Sequence, residues 1–126
     1  MTGLRNHYKA TKIEHVEVTQ GDTFAFGVKI TFDEDPQELD GATFTVREID
    51  GGNFSKVRKT LGDGIELDHI DGNDVYYRVR VAPSETEELN LGDYRYDFEI
   101  SINDDVYTLL KGIFRVTFQE SKEGWI

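Results

Sequence analysis

Cysteine is absent from this chain of 126 residues, so it holds neither a disulfide framework nor a thiolate metal site, and nothing in it requires an oxidising compartment. Long apolar runs are absent as well. No stretch of about 18 apolar residues is present to cross a bilayer, and the opening MTGLRNHYKATK has no apolar core of a secretion signal. The expectation is a soluble protein that matures in cytoplasm. Positive charge is scarce: 14 Lys and Arg stand against 25 Asp and Glu, a net charge of −11. Such a field repels phosphate backbones and anionic lipid and removes the counterion-release drive for nucleic-acid binding. Neither nucleic acid nor membrane is expected as a partner.

Catalytic groupings are missing too. The histidines are His7, His15 and His69, none set in a recognisable motif, and Ser55, Ser101 and Ser121 have no nucleophile elbow around them. GDGIELDHIDGNDV has glycines but neither the spacing nor the following helix of a phosphate cradle. No catalytic residues are assigned, and the chain reads as a non-enzyme.

What the sequence has in quantity is alternation. In GDTFAFGVKITF, Phe24, Phe26, Val28, Ile30 and Phe32 share one face, with Ala25, Gly27, Lys29 and Thr31 on the other. GATFTVREI repeats the pattern with Ala42, Phe44 and Val46, DVYYRVRVA with Val75, Tyr77, Val79 and Val81, and LGDYRYDFEISI with Tyr94, Tyr96, Phe98, Ile100 and Ile102. A period of two with one apolar face is a half-buried strand, and several such strands need a facing sheet. Weaker strands are predicted over Ile13 to Thr19, Phe54 to Leu61 and Gly64 to Asp68. In Val106 to Phe118 the alternation breaks at Leu109–Leu110 and again at Ile113–Phe114, which predicts a β-bulge near Lys111 and Gly112. Lys56, Arg58 and Lys59 read as charges that blunt an exposed strand edge.

Turn signals fall at Asp33–Pro36, Asp50–Gly52, Gly62–Gly64, Asp71–Asp74 and Asn103–Asp105, a spacing suited to a sandwich. PSETEEL is the exception. Pro83 and Ser84, with Glu87 three residues later, predict a capped helical turn from Pro83 to Leu89 with Ser84 as its cap. A helical crossover followed by Asp93 and Tyr94 at the start of a strongly alternating strand is the layout of a tyrosine corner. The predicted fold is therefore an all-β, immunoglobulin-like antiparallel β-sandwich of about 7–8 strands. Its core is expected to hold Phe24, Phe26, Val28, Phe44, Val46, Tyr77, Val79, Tyr94, Tyr96 and Phe98. A chain of this length suits one domain. Residues 1–12 are expected as a mobile N-terminal arm, 13–118 as the sandwich and 119–126 as a C-terminal tail.

Taken in order, QGDTFAFGVKI, LDGATFTVRE, VAPSETEELNLGDYRYDFEI and DDVYTLLKGIFRVT resemble the immunoglobulin-like domains of tailed-phage and prophage virion proteins, of the kind found at the N-terminus of baseplate upper proteins. The resemblance runs from about Val16 to Thr117 and rests on strand and turn signatures. It implies a structural protein of the virion, made in the bacterial host cytoplasm, that docks onto other virion proteins of tail, baseplate, neck or capsid in a multimeric assembly. The alternative on the same scaffold is a carbohydrate- or cell-surface-binding adhesion module, with Tyr8, Tyr76, Tyr107 and Trp125 as its candidate aromatics.

Two candidate sites complete the reading. Asp33, Asp35, Asp71 and Asp74 could converge at one end of a sandwich and offer oxygens to calcium. No loop has the Asp-x-Asp-x-Asp-Gly spacing of a dedicated site, so the expectation is no cofactor and no metal, with calcium as the sharper alternative. His7, Tyr8 and Trp125, in the two ends, are the candidate partner-binding residues.

Overall fold

A computed structural model describes residues 11–52 and 54–118. Nine strands and one short helix follow in chain order: β1 (Lys12–Ile13), β2 (Val16–Thr19), β3 (Phe24–Thr31), β4 (Gly41–Glu48), β5 (Ser55–Leu61), β6 (Gly64–Asp71), β7 (Asp74–Val81), α1 (Pro83–Glu87), β8 (Gly92–Ile102) and β9 (Asp105–Thr117). The hydrogen-bonded order is β1-β9-β8-β4-β5-β6-β7-β3, with β2 also paired to β9. Between β5 and β6 the ladder has only two pairs, Thr60 with Gly64 and Leu61 with Ile65. There the sheet turns a corner, and the strands divide into a large layer (β1, β2, β9, β8, β4, β5) and a small one (β6, β7, β3).

The two layers face each other through aromatic rings. Phe24 of β3 lies 5.0 Å from Phe114 of β9 and 6.3 Å from Phe44 of β4, and Phe26 lies 5.5 Å from Phe44. Alternation puts Phe44, Val46, Val79, Val81, Phe98 and Phe114 wholly inside, because each stands on the inward side of a strand with the opposite layer above it. The chain is an all-β, immunoglobulin-like β-sandwich. The tyrosine corner is built as its sequence layout implies: buried Tyr94 donates its hydroxyl to the Asn90 carbonyl at 2.8 Å, tying β8 to the crossover.

Several expectations need correction. The strand read over Ile13 to Thr19 is two strands, broken at Glu14 and His15, which makes nine strands among the described residues. The sandwich is not wholly antiparallel: β1 and β2 run parallel to β9, and β5 meets β6 in parallel at the corner. The bulge in β9 falls at Leu109, since Phe98 pairs with Leu110 and Glu99 with Thr108, while Gly112 pairs regularly with Tyr96. Two adjacent leucines both gain by packing on the core, and the extra residue lets both do so. Phe26 is half-buried rather than wholly inside. In α1 the N-cap is Ala82 and not Ser84: Pro83 takes the first helical position, and the Glu85 carboxylate accepts the Ala82 amide proton at 2.9 Å. β5 is the outer strand of the large layer, paired with β4 on one side and meeting β6 only at Thr60 and Leu61 on the other, so Lys56 and Arg58 lie along its open side while Lys59 reaches Glu85 at 2.7 Å.

Gly112 is needed for another reason. A Cβ there would stand 2.2 Å from the Glu14 carbonyl oxygen, which occupies that space and accepts the Tyr96 hydroxyl proton at 2.8 Å. The Glu14 amide in turn donates to the Lys111 carbonyl at 2.9 Å. Gly112→Ala should therefore push residues 12–15 off β9 and cost about 1–3 kcal/mol in urea unfolding. Phe44→Ala, which empties the centre of the ring cluster, should cost about 3–5 kcal/mol, and Phe26→Ala clearly less. Equal losses at the two phenylalanines would contradict the burial described.

Candidate functional site

The break between β1 and β2 leaves an open groove of about 550 Å³ on the outer face of the large layer. One wall comes from Thr11, Ile13 and His15, and the other side from Arg47 of β4 and Arg95 and Asp97 of β8. Tyr96 and Gly112 contribute to its lining, with Lys111 and Ile113 from β9 beside them. Strand register explains the assembly. Arg47 stands directly opposite Arg95, Arg95 opposite Ile113, and Asp97 opposite Lys111. Three cations on adjacent strands thus surround one carboxylate.

Like charges directly across a ladder are unfavourable. The protein spreads the cost by tying each arginine elsewhere. Arg47 pairs with Asp97 at 3.3 Å, both side chains about three quarters covered, with exposures of 24% and 29%. Arg95 donates from Nε to the Glu48 carbonyl at 3.1 Å and from its terminal nitrogen to the Gly52 carbonyl. Carbonyls orient a guanidinium without neutralising it. Among the lining residues, Arg47, Arg95 and Lys111 against Asp97 leave two positive charges uncompensated, in a chain whose net charge is −11. His15 Nδ1 accepts the Ile113 amide proton at 3.0 Å, which fixes the ring at the groove's rim. Ile13 adds an apolar surface 57% exposed.

At the far end of the sandwich, Asp71 and Asp74 flank the β6–β7 turn, and Asp33 and Asp35 lie in the loop after β3. The Phe32 amide donates to the Asn73 carbonyl at 2.9 Å, so loop and turn are neighbours, and Asp74 accepts the Thr31 hydroxyl proton at 2.7 Å. Among the described residues, however, no three His, Asp or Glu side chains gather into a set able to hold a metal. His7, Tyr8 and Trp125 lie outside the described residues. Of the other candidate aromatics, Tyr76 sits on β7 stacked with His69 at 4.2 Å, and Tyr107 sits on β9 in the opposite layer, so the two do not form one platform.

A second surface is the outer edge of β3. All eight of its residues pair with β7 in unbroken register, and among the described residues no strand lies on its other side. It carries no proline and no bulge, and Lys29 is its one charged residue.

Neither surface was singled out from the sequence. Arg47 and Arg95 sit on the polar side of their strands, where charge is ordinary, and only the register brings them face to face. Likewise, the alternation of β3 reads as a half-buried strand and does not say where in the sheet it lies; topology alone puts it at an edge.

Among known proteins, no family's sequence profile matches the chain, and no curated protein does. Solved structures with a similar arrangement include CopC from Methylosinus trichosporium OB3b, at 16% identity, covering 95% of this chain and 97% of that one, with a TM-score of 0.44. Another is a family 123 glycoside hydrolase from Clostridium perfringens, at 11% identity, covering 86% of this chain and 23% of that one, with a TM-score of 0.46. A third is the extracellular fragment of novel immune-type receptor 11 from Ictalurus punctatus, at 12% identity, covering 93% and 91%, with a TM-score of 0.34. Likenesses of this size carry nothing about what this chain binds or does, and none of the three is described as a virion protein.

Burial first, and then the charge of Glu14, push the Tyr96 hydroxyl from its ordinary value of 10 up to about 12. Its neutral form is the one that bonds the Glu14 carbonyl. The stabilisation is complete below pH 10 and is lost as pH rises toward 12, because in that window the unfolded chain releases the proton first. Tyr96→Phe should flatten the fall in unfolding free energy between about pH 10 and pH 12, read by urea titration; an unchanged slope would place the effect elsewhere.

Proposed function

We propose that this chain is a non-enzymatic structural module of a phage or prophage virion, an immunoglobulin-like domain that docks onto other virion proteins in a multimeric assembly. The virion assignment rests on the sequence resemblance from Val16 to Thr117. Docking is supported chiefly by one observation, the open outer edge of β3. An edge of eight residues with unpaired backbone donors and acceptors is a template for a further strand, and folds that avoid such pairing use bulges, prolines or clustered charge. β3 has one lysine.

The occupant proposed is an extended strand of a neighbouring virion protein, which would add to β3 and continue the small layer. Half-buried Phe26 would gain cover from that strand. The charge of −11 opposes self-association of the isolated chain, so the contact forms where assembled neighbours supply a high effective concentration.

The test is incorporation into particles. Ala25 is exposed, and a Cβ at Gly27 meets nothing closer than 3.8 Å, so Ala25→Lys with Gly27→Lys should fold normally while placing charge along the edge. Co-purification with virion proteins should fall about tenfold for this variant, the equivalent of about 1.4 kcal/mol, and stay unchanged for a chain cut after Phe118. Loss on truncation instead would move the contact to the C-terminal tail. A chain that never associates with any virion component would end the proposal.

A further inference from the structure

We infer that the groove between β1 and β8 binds an acidic peptide segment, with carboxylates held by Arg95 and Lys111 beside the Arg47–Asp97 pair. The argument begins with the uncompensated charge. Three cations and one carboxylate are arranged across adjacent strands, with Arg47 and Arg95 directly opposed at an energetic cost that an anion would relieve. Arg95 is held by two main-chain carbonyls, so it is oriented before a ligand arrives and loses little freedom on binding. Lys111, opposite Asp97 and diagonal to Arg95, completes the cationic side.

The rest of the lining selects the class of anion. Exposed Ile13 and half-buried Ile113 lie beside the cations, so the groove offers apolar contact next to charge, as an extended segment of alternating acidic and apolar side chains requires. A volume of about 550 Å³ accommodates several side chains rather than one small ion. Nucleic acid fits poorly, because a polyanion reaching beyond two uncompensated charges meets Glu99 along β8 and the field of a chain at −11. This inference stands on the groove alone and holds whether or not the β3 edge docks a virion strand.

The probe is a fluorescein-labelled hexapeptide of alternating glutamate and leucine, followed by anisotropy at low ionic strength with the full chain. Binding should be measurable, weaken as salt rises, and be absent for the same peptide with glutamine replacing glutamate. Arg95→Gln with Lys111→Gln should weaken it at least about tenfold, and Lys111→Gln alone, which touches no carbonyl contact, by a smaller factor in the same direction. Lys29→Gln with Arg80→Gln removes the same net charge from the small layer and should leave affinity within about twofold. No binding, equal losses in the two double variants, or full displacement of the peptide by inorganic phosphate at matched ionic strength would each overturn the inference.

Discussion

The Glu14 carbonyl is the point on which the large layer closes. It sits where Gly112 has no side chain, accepts the Tyr96 hydroxyl, and belongs to a residue whose amide donates to Lys111. Three strands meet at that oxygen. The bond from the buried tyrosine's hydroxyl to this part-covered carbonyl ties the broken first strand to β8, and it helps the strand break and still stay seated. The break has two consequences: β2 is free to align with Phe114 to Thr117, and the space beside the interruption becomes the groove.

Opposite that joint, the layers are held by aromatic area rather than by charge. Phe24, Phe44, Tyr96 and Phe114 form a connected set of rings, Phe24 stacked on Phe44 and edge-on to Phe114, with Phe44 tilted against Tyr96 and Phe114. Ion pairs sit around the outside. Arg115 grips Asp93 with two bonds, at 2.7 and 3.2 Å, and holds its carboxyl below the usual range, but the pair is exposed and contributes little. The Lys59–Glu85 pair is better covered, the lysine side chain being 15% exposed. Burial pushes Glu85 up, while the Lys59 ammonium and the Ala82 amide outweigh it and leave its carboxyl low; through them α1 is fastened to the corner strand.

Much of this architecture was legible in the residues because one period of two ran through nearly every strand. Inward positions from Phe44 to Phe98 followed directly, and so did the tyrosine corner, whose partner lies only four residues away at Asn90. What the sequence hid depends on pairing between distant segments. Whether β9 bulges at Leu109 or at Gly112 is decided by β8, and a glycine in a strand looks the same whether it admits a bulge or a neighbour's carbonyl. The cap of α1 was misplaced for a local reason: Ser84 is a good cap in isolation, but proline prefers the first helical position and moves the start back to Ala82. The cationic groove was invisible because outward arginines are common on any strand, and their meaning lies in which strand stands beside which.

Parallel pairing of the first strands with the last has a mechanical meaning. The chain runs through β1 and β2 in the same direction as through β9, with Lys12 beside Leu110 and Thr19 beside Thr117. If the domain is pulled by its two ends, these strands slide past each other along their length, and their hydrogen bonds are loaded together instead of peeling one at a time. The Glu14 joint lies within that sheared interface, with the Tyr96 hydroxyl crossing it as a pin. A domain built this way resists extension where tension enters it, because the seam loads all of its bonds together.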